Sequence, residues 1–385
     1  MDAIACQGFG GAFALGVTQA GFRLDHVVEQ AGGFGTPMLE GNRHLLGPDW
    51  VAQACDASEW EPRDVAMVFG NPPCSGFSGL SVAISDGHGV RRDWRGSDNP
   101  INNCMWDLVR YGAACKAEAI VFESVQAAGK SGHPLMQALH AELERLTGKQ
   151  WYLSHVFHNN LSLGGNAMRK RYFWVATQVP FGVELPELDG VGSLRKAIGD
   201  LEDVPLGAQW PEGHVIRSTP RARRVAWLAE HAGWEPGERS DNVCARVDLP
   251  DALFRRPDGR PLGTTEMKNG PYAARRWKYD APARVLTGYS LSENAHPALP
   301  RTFTHREVAR IMGYPDSWSC QPNIAHGAKG ELWWGKQIPV GSGAWIAWNV
   351  YAALLGQRGS IHGDEIGERE VVLDSTNHWK TGLAA

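Results

Sequence analysis

Residues 64–69, Asp-Val-Ala-Met-Val-Phe, are apolar at every position after the first, with no polar alternation. A strand built from such a run must be covered on both faces. That is the condition of a parallel sheet flanked by helices, not of a sheet with one wet side. The run leads directly into Gly70-Asn71-Pro72-Pro73-Cys74-Ser75-Gly76-Phe77-Ser78. Open α/β sheets bind ligands just beyond the carboxyl ends of their strands, where this segment falls. Pro72 and Pro73 stiffen the loop and Gly76 permits a sharp bend. A thiol held there makes Cys74 a candidate nucleophile, a small buried apolar side chain being the alternative.

The first 29 residues read as a strand, a glycine-rich turn, a helix and a second strand. Ile4-Ala5-Cys6 leads into Gly8-Phe9-Gly10-Gly11, an apolar helix runs to about Ala20, and His26-Val27-Val28-Glu29 follows. Glycines at such a turn let the backbone approach a ligand, and an acid ending the second strand can hold ribose hydroxyls. A tight turn with a solvated Glu29 fits the same residues. Asp56, near the end of a third strand, is an acceptor for an adenine amino group or a helix cap.

The remaining chain extends the same alternation. A long polar loop spans about residues 79–103 and carries Arg91, Arg92 and Arg95, suited to phosphate. A helix over about residues 105–116 precedes a second buried strand, residues 118–125, that ends in Glu123. This carboxylate is a candidate acid or base facing the same side as Cys74, or a structural group. Arg169-Lys170-Arg171 opens another strand. Between about residues 178 and 280 the periodicity is lost while arginine, proline and glycine rise. The arginines there suit either a DNA-facing surface or a solvated one. Thr304-His305-Arg306-Glu307 opens a helix that stops at Gly313, and an apolar helix covers about residues 344–355. The polar tail beyond Gly356 reads as peripheral.

Composition narrows the class. No apolar run approaches the ~18 residues of a membrane span, and the opening strand leaves no signal-peptide pattern. Seven cysteines, odd in number, scattered and without a CxxC pair, point to a reducing, cytoplasmic setting and away from zinc or a disulfide framework. With a formal net charge of −4, any contact with nucleic acid has to come from local basic patches.

Taken in order, these segments resemble the motif series of the DNA cytosine-C5 methyltransferases. The resemblance implies an α/β, Rossmann-like class I AdoMet-dependent methyltransferase sheet with a smaller target-recognition domain. Residues 1–178 are expected to form the catalytic AdoMet-binding domain, 179–285 the recognition domain, and 286–385 the return to the first. Gly8, Phe9, Gly10 and Gly11 are similar to the cofactor loop, Glu29 to the ribose acid, and Asp56 with Ala57 to the adenine contact. Pro73-Cys74 resembles the nucleophile motif, Glu123-Ser124-Val125 the Glu-Asn-Val motif, and Arg169-x-Arg171 the Gln-x-Arg-x-Arg motif. The implied substrate is a flipped cytosine in double-stranded DNA, with no metal and no membrane, in a bacterial or phage-infected cell. An RNA cytosine methyltransferase and an inactive DNA-binding relative are the competing expectations.

The departures from the family pattern lie mainly around the cofactor. Cys6 and Gln30 stand where aromatic stacking residues are usual. Near the C-terminus the family's Gly-Asn-x-Val-Pro falls on Gly335-Lys336-Gln337-Ile338-Pro339, so Lys336 replaces an asparagine expected near the cofactor's reacting end. An ammonium ~4 Å from a sulfonium costs roughly 4 kcal/mol at an effective dielectric of about 20. Lys336 therefore suits carboxy-S-adenosyl-L-methionine, whose carboxylate it would pair with, giving 5-carboxymethylcytosine. A solvent-directed or phosphate-binding lysine, or a shifted register, are the alternatives.

Overall fold

The computed structural model describes residues 1–8, 10–29, 35–47, 51–54, 61–74, 76–77, 84–85, 91–92, 97, 99–188, 190, 192–216, 219–250, 253, 274–286, 294–320, 337–357, 361–362 and 368–373. Among the site residues expected from the sequence, Phe9, Gln30, Asp56, Ala57 and Lys336 lie outside the described residues. So does Arg95 of the long loop. The chain divides into two compact units. One comprises Met1–Leu163, Lys170–Glu187 and Gln337–Ala385, the other Gly164–Arg169 and Leu188–Lys336.

The first unit is built on an eight-stranded sheet. Its strands are β1 (Asp2–Cys6), β2 (Arg23–Glu29), β3 (Val51–Ala54), β4 (Met67–Gly70), β5 (Ala119–Ser124), β6 (Tyr152–Asn159), β7 (Lys170–Thr177) and β8 (Glu368–Leu373). In these labels the spatial order is 8-6-7-5-4-1-2-3. Strands β3, β2, β1, β4 and β5 run parallel, and β7 is antiparallel to both of its neighbours. All residues of β4 and β5 are buried, as double-sided cover demands. The order reverses between β1 and β4, which places the crevice of an open α/β sheet at their carboxyl ends. Gly70 closes β4 there: a Cβ on it would lie 2.0 Å from the Cys6 carbonyl oxygen.

Helix α1 (Ala12–Gln19) packs on α2 (Val340–Leu354), joining the two ends of the unit. The approach is backbone to backbone, since a Cβ on Gly16 would lie 2.4 Å from Ala344 N. Phe13 of α1 meets Phe69 and Phe173 edge-on with ring centroids 4.9 and 5.8 Å apart. On the other face Phe122 stacks on fully buried Trp174 at 5.1 Å.

The tail corrects the sequence reading. Beyond Gly356 the chain is not merely peripheral. β8 runs parallel to β6, with Glu368 opposite Leu153 and Leu373 opposite His158. Ile361–His362 also pairs with Gly182–Val183. An edge strand tolerates the charged residues that made this segment read as a tail, while Val371-Val372-Leu373 carries the strand-forming pattern. In the long loop after Cys74, Ile84–Ser85 pairs with Arg91–Arg92 as a short antiparallel ladder.

The second unit has its own core, in which Val225 and Leu228 pack with Trp234, Val243, Ala274 and Ala295. Its span includes residues 286–336, which the sequence reading assigned to the return of the first domain. Backbone bonds explain the grouping: Trp277 N donates to Ala295 O, and Ala295 N to Arg275 O. The helix His305–Ile311 opens with a reciprocal capping box between Thr304 and Glu307. Fully buried Glu307 also accepts from Arg301 at 2.9 and 2.6 Å. Burial opposes its ionisation, but the Arg301 pair outweighs that and holds its carboxyl below the usual range.

Candidate active site

The candidate residues lie at the neighbouring carboxyl ends of β1, β4 and β5. β1 pairs with β4 up to Cys6 and Gly70, and β4 with β5 up to Gly70 and Phe122. Just past β1, Gln7 takes a left-handed backbone at φ 57°. Its N–H donates to Val28 O at 2.7 Å and its side-chain Nε2 to Cys104 O at 3.2 Å. A Cβ on Gly8 would meet Leu39 Cδ1 at 3.2 Å, and Gly11 caps α1 at φ 80°. Gly10 is buried in the same turn. Gly11 has no side chain with which to cap the helix. The cap comes from Gln337, whose Oε1 accepts the Ala12 N–H at 3.1 Å. Glu29 ends β2 one residue past the Cys6–Val28 pair, on the strand beside this turn. A glycine turn at a helix N-terminus beside a strand-end acid fits a nucleoside cofactor.

Cys74 is part-exposed and outside any disulfide. Its carbonyl accepts from Phe77 N at 3.0 Å, closing the turn after Pro73. Gly76 is required in that turn, because a Cβ would lie 2.7 Å from Asn102 Oδ1. Phe77 is buried and packs against Gly132, anchoring the loop. The turn next to the thiol is thereby braced at Gly76 and Phe77.

Glu123, at the end of β5, is 5% exposed. Its Oε1 pairs with Arg171 Nε, and its Oε2 accepts from Asn71 Nδ2 at 3.1 Å. Arg171 also donates to Lys170 O at 2.8 Å. Thus Glu123 and Arg171, both expected from the sequence, come together in the first unit. Arg169 belongs to the second unit, where its buried guanidinium donates to Leu286 O at 3.1 Å.

Asn71, Gln7 and Gln337 were assigned no role by the sequence reading. Asn71 lies in the loop before Cys74, but nothing local indicates a partner 52 residues away. His158 is a further buried group, opposite Arg171 across the β6–β7 ladder. Its Nε2 bonds Ser342 Oγ at 2.9 Å, and that hydroxyl donates to Asn160 Oδ1 at 3.1 Å. Burial, helped by the Arg171 charge, pushes the His158 pKa down to about 3.

Residues 52–346, more than half of the chain, match the family of C-5 cytosine-specific DNA methylases. The chain belongs to that family. As a C-5 cytosine methylase it is 24% identical over 303 residues to the Type II methyltransferase M.SacI of Streptomyces achromogenes, covering 69% of this chain and 72% of the relative. It is 36% identical over 75 residues to the Type II methyltransferase M.Sau96I of Staphylococcus aureus, covering 19% of this chain and 17% of the relative. The methylase fold is similar to that of a protein described as a DNA modification methyltransferase encoded within an E. coli prophage, with TM-score 0.63 and 14% identity over 92% of this chain and 99% of that one. It is also similar to a DNMT2 variant of Spodoptera frugiperda, with TM-score 0.55 and 14% identity over 91% and 99%. Among the described residues of the methylase, no helix is long and apolar enough to cross a membrane. No group of His, Cys, Asp or Glu among them could hold a metal ion.

Proposed function

We propose that this methylase alkylates C5 of a flipped cytosine in duplex DNA through a covalent adduct at Cys74. The observation that carries the reading is the Glu123–Arg171 pair, tied by Asn71 to the loop that presents the thiol. Cytosine C5 is a poor nucleophile. Addition of the Cys74 thiolate to C6 moves an electron pair into the ring and makes C5 enamine-like. Glu123 holds a proton at N3 as that charge develops, and Arg171, its Nε remaining against Glu123, donates to the base O2 through a terminal nitrogen. After C5 has gained its new carbon, loss of the C5 proton to water and expulsion of the thiolate restore the ring. A base in a duplex cannot reach Cys74, so flipping is required. The second unit would read flanking bases in the major groove, and Arg91 and Arg92 would contact phosphate.

The cofactor turn, residues Cys6 to Gly11 with Pro73, Glu29, Gln30, Asp56 and Ala57, would hold S-adenosyl-L-methionine or its carboxylated analogue. When bound, that group would supply the electrophilic carbon, its sulfonium–carbon bond breaking so that the electron pair stays on sulfur and a neutral thioether leaves. Carboxymethyl transfer is the finer part of the proposal. It is supported by the sequence register that puts Lys336 where the family carries an asparagine near the cofactor's reacting end. A cationic side chain near a sulfonium would disfavour a cationic donor and favour one carrying a carboxylate.

The test is nucleoside mass spectrometry of duplex DNA and of RNA treated with the purified protein, with either donor. 5-Carboxymethylcytosine from the carboxylated donor supports the full proposal. 5-Methylcytosine alone reduces it to ordinary DNA methylation. Modification of RNA alone overturns the DNA assignment, and loss of adduct with 5-fluorocytosine DNA overturns the role of Cys74.

A further inference from the structure

Asn71 occupies a position where an asparagine is ordinarily a turn former, its side chain bonded to its own backbone. Here Nδ2 instead donates 3.1 Å across to Glu123 Oε2 on the next strand. The other carboxylate oxygen, Oε1, is taken by Arg171. One oxygen is thus hydrogen-bonded to Asn71 and the other ion-paired with Arg171, on two different elements, which restricts the plane of the carboxylate. The terminal torsion of a glutamate is otherwise soft and roughly two-fold.

The backbone of Asn71 is placed as firmly as its side chain. Its N–H donates to Gln7 O at 3.4 Å, and Gly70 before it sits against the Cys6 carbonyl. Gln7 immediately precedes Gly8 of the cofactor turn and is itself held at Val28 O and Cys104 O. Three residues after Asn71 comes Cys74, beyond two prolines that transmit its position stiffly. One residue thus touches the acid by its side chain and the cofactor turn by its backbone, on the loop that carries the nucleophile.

We propose that Asn71 is a positioning residue that aligns the Glu123 carboxylate with the Cys74 loop and the cofactor turn. The inference rests on the proposed cytosine chemistry. Its role needs a donor at Nδ2: an aspartate of the same shape presents an acceptor to an acceptor until the pair takes up a proton. An orientation error of this kind costs on the order of 100-fold in rate without loss of binding.

The experiment compares wild type, Asn71→Ala and Asn71→Asp in single-turnover modification of duplex DNA across pH 5.5 to 9. Cofactor affinity is measured by calorimetry, and folding by thermal melting. Asn71→Ala is expected to slow the chemical step on the order of 10- to 100-fold, with cofactor affinity within about threefold of wild type. Asn71→Asp is expected to be slow at alkaline pH and to recover toward wild type as pH falls, because the shared proton restores a donor. Wild-type rates in a folded Asn71→Ala overturn the inference. If Asn71→Ala fails to fold, an Asn71→Asp pH profile superimposable on wild type overturns it. A wild-type protein that modifies no cytosine overturns the chemical reading and this inference with it. An active wild type with unaffected variants overturns this inference alone.

Discussion

Gln337 Oε1 caps the N-terminus of α1 by accepting the Ala12 N–H at 3.1 Å, across 325 residues of chain. The bond is buried, and Gly11, at the cap position, makes no side-chain cap of its own. It fastens the segment before α2 to the turn proposed to hold the cofactor.

Gln337→Ala removes that cap and leaves the Ala12 N–H buried without this partner. The expected cost is about 1 kcal/mol in thermal stability, together with a roughly fivefold loss of S-adenosyl-L-methionine affinity. Gln337→Glu, which keeps an acceptor at a helix N-terminus, is expected to restore most of the stability. Thermal melting and calorimetry on the two variants check this. Equal losses in both would show that the amide itself, rather than an acceptor, is what the site needs.

Lys336→Asn is expected to abolish carboxymethyl transfer while keeping or raising methyl transfer, because the substitution removes the cation proposed to pair with a carboxylated donor. Product ratios from the two donors, read by mass spectrometry, decide it. If neither product changes, Lys336 is not at the cofactor.

Two buried histidines held neutral are expected to make the fold acid-labile. Burial lowers His158 to about 3. It lowers His296 to about 4, against the opposing pull of Glu307. A folded-state pKa below that of the unfolded chain means that unfolding takes up protons. Stability is therefore whole above about pH 6.5 and is lost as pH falls toward those values. Each group sets a slope of up to roughly 1.4 kcal/mol per pH unit. His158→Gln is expected to flatten the fall in melting temperature between pH 6.5 and 5, whatever it does to stability at pH 8. An unchanged slope would remove His158 from the account.

Gly70→Ala drives a methyl to 2.0 Å from the Cys6 carbonyl, a backbone atom that cannot swing aside. Separating β1 from β4 at their carboxyl ends is expected to cost roughly 3 kcal/mol and to lower activity along with stability. Gly148→Ala, with nothing within 4 Å but φ at 63°, gives a control for backbone strain alone. Urea denaturation of both variants measures the difference.

Much of the frame was legible from local pattern. The double-sided apolar runs identified β4 and β5 as parallel interior strands, and the structure pairs them so. Thr304 and Glu307, three residues apart before an apolar stretch, marked a helix start that forms as a capping box. The Cys74 loop and the strand end at Glu123 were legible for the same reason: burial and turn chemistry are written within a few residues. The charged segment 368–373 was misread, because hydropathy does not distinguish a solvated tail from an edge strand that takes its partner from residues two hundred positions earlier.

Three things the sequence determined by itself: a covered parallel sheet, a loop past one of its strands that carries the candidate nucleophile Cys74, and a carboxylate at the end of the next strand. Tertiary structure alone decided that Asn71 and Arg171 share Glu123, that Gln337 caps α1, and that residues 294–320 group with the second unit. The division has a physical basis. Periodicity and turn residues report how each short segment meets water, whereas a hydrogen bond between distant side chains depends on where folding brings them, and no local pattern encodes that meeting.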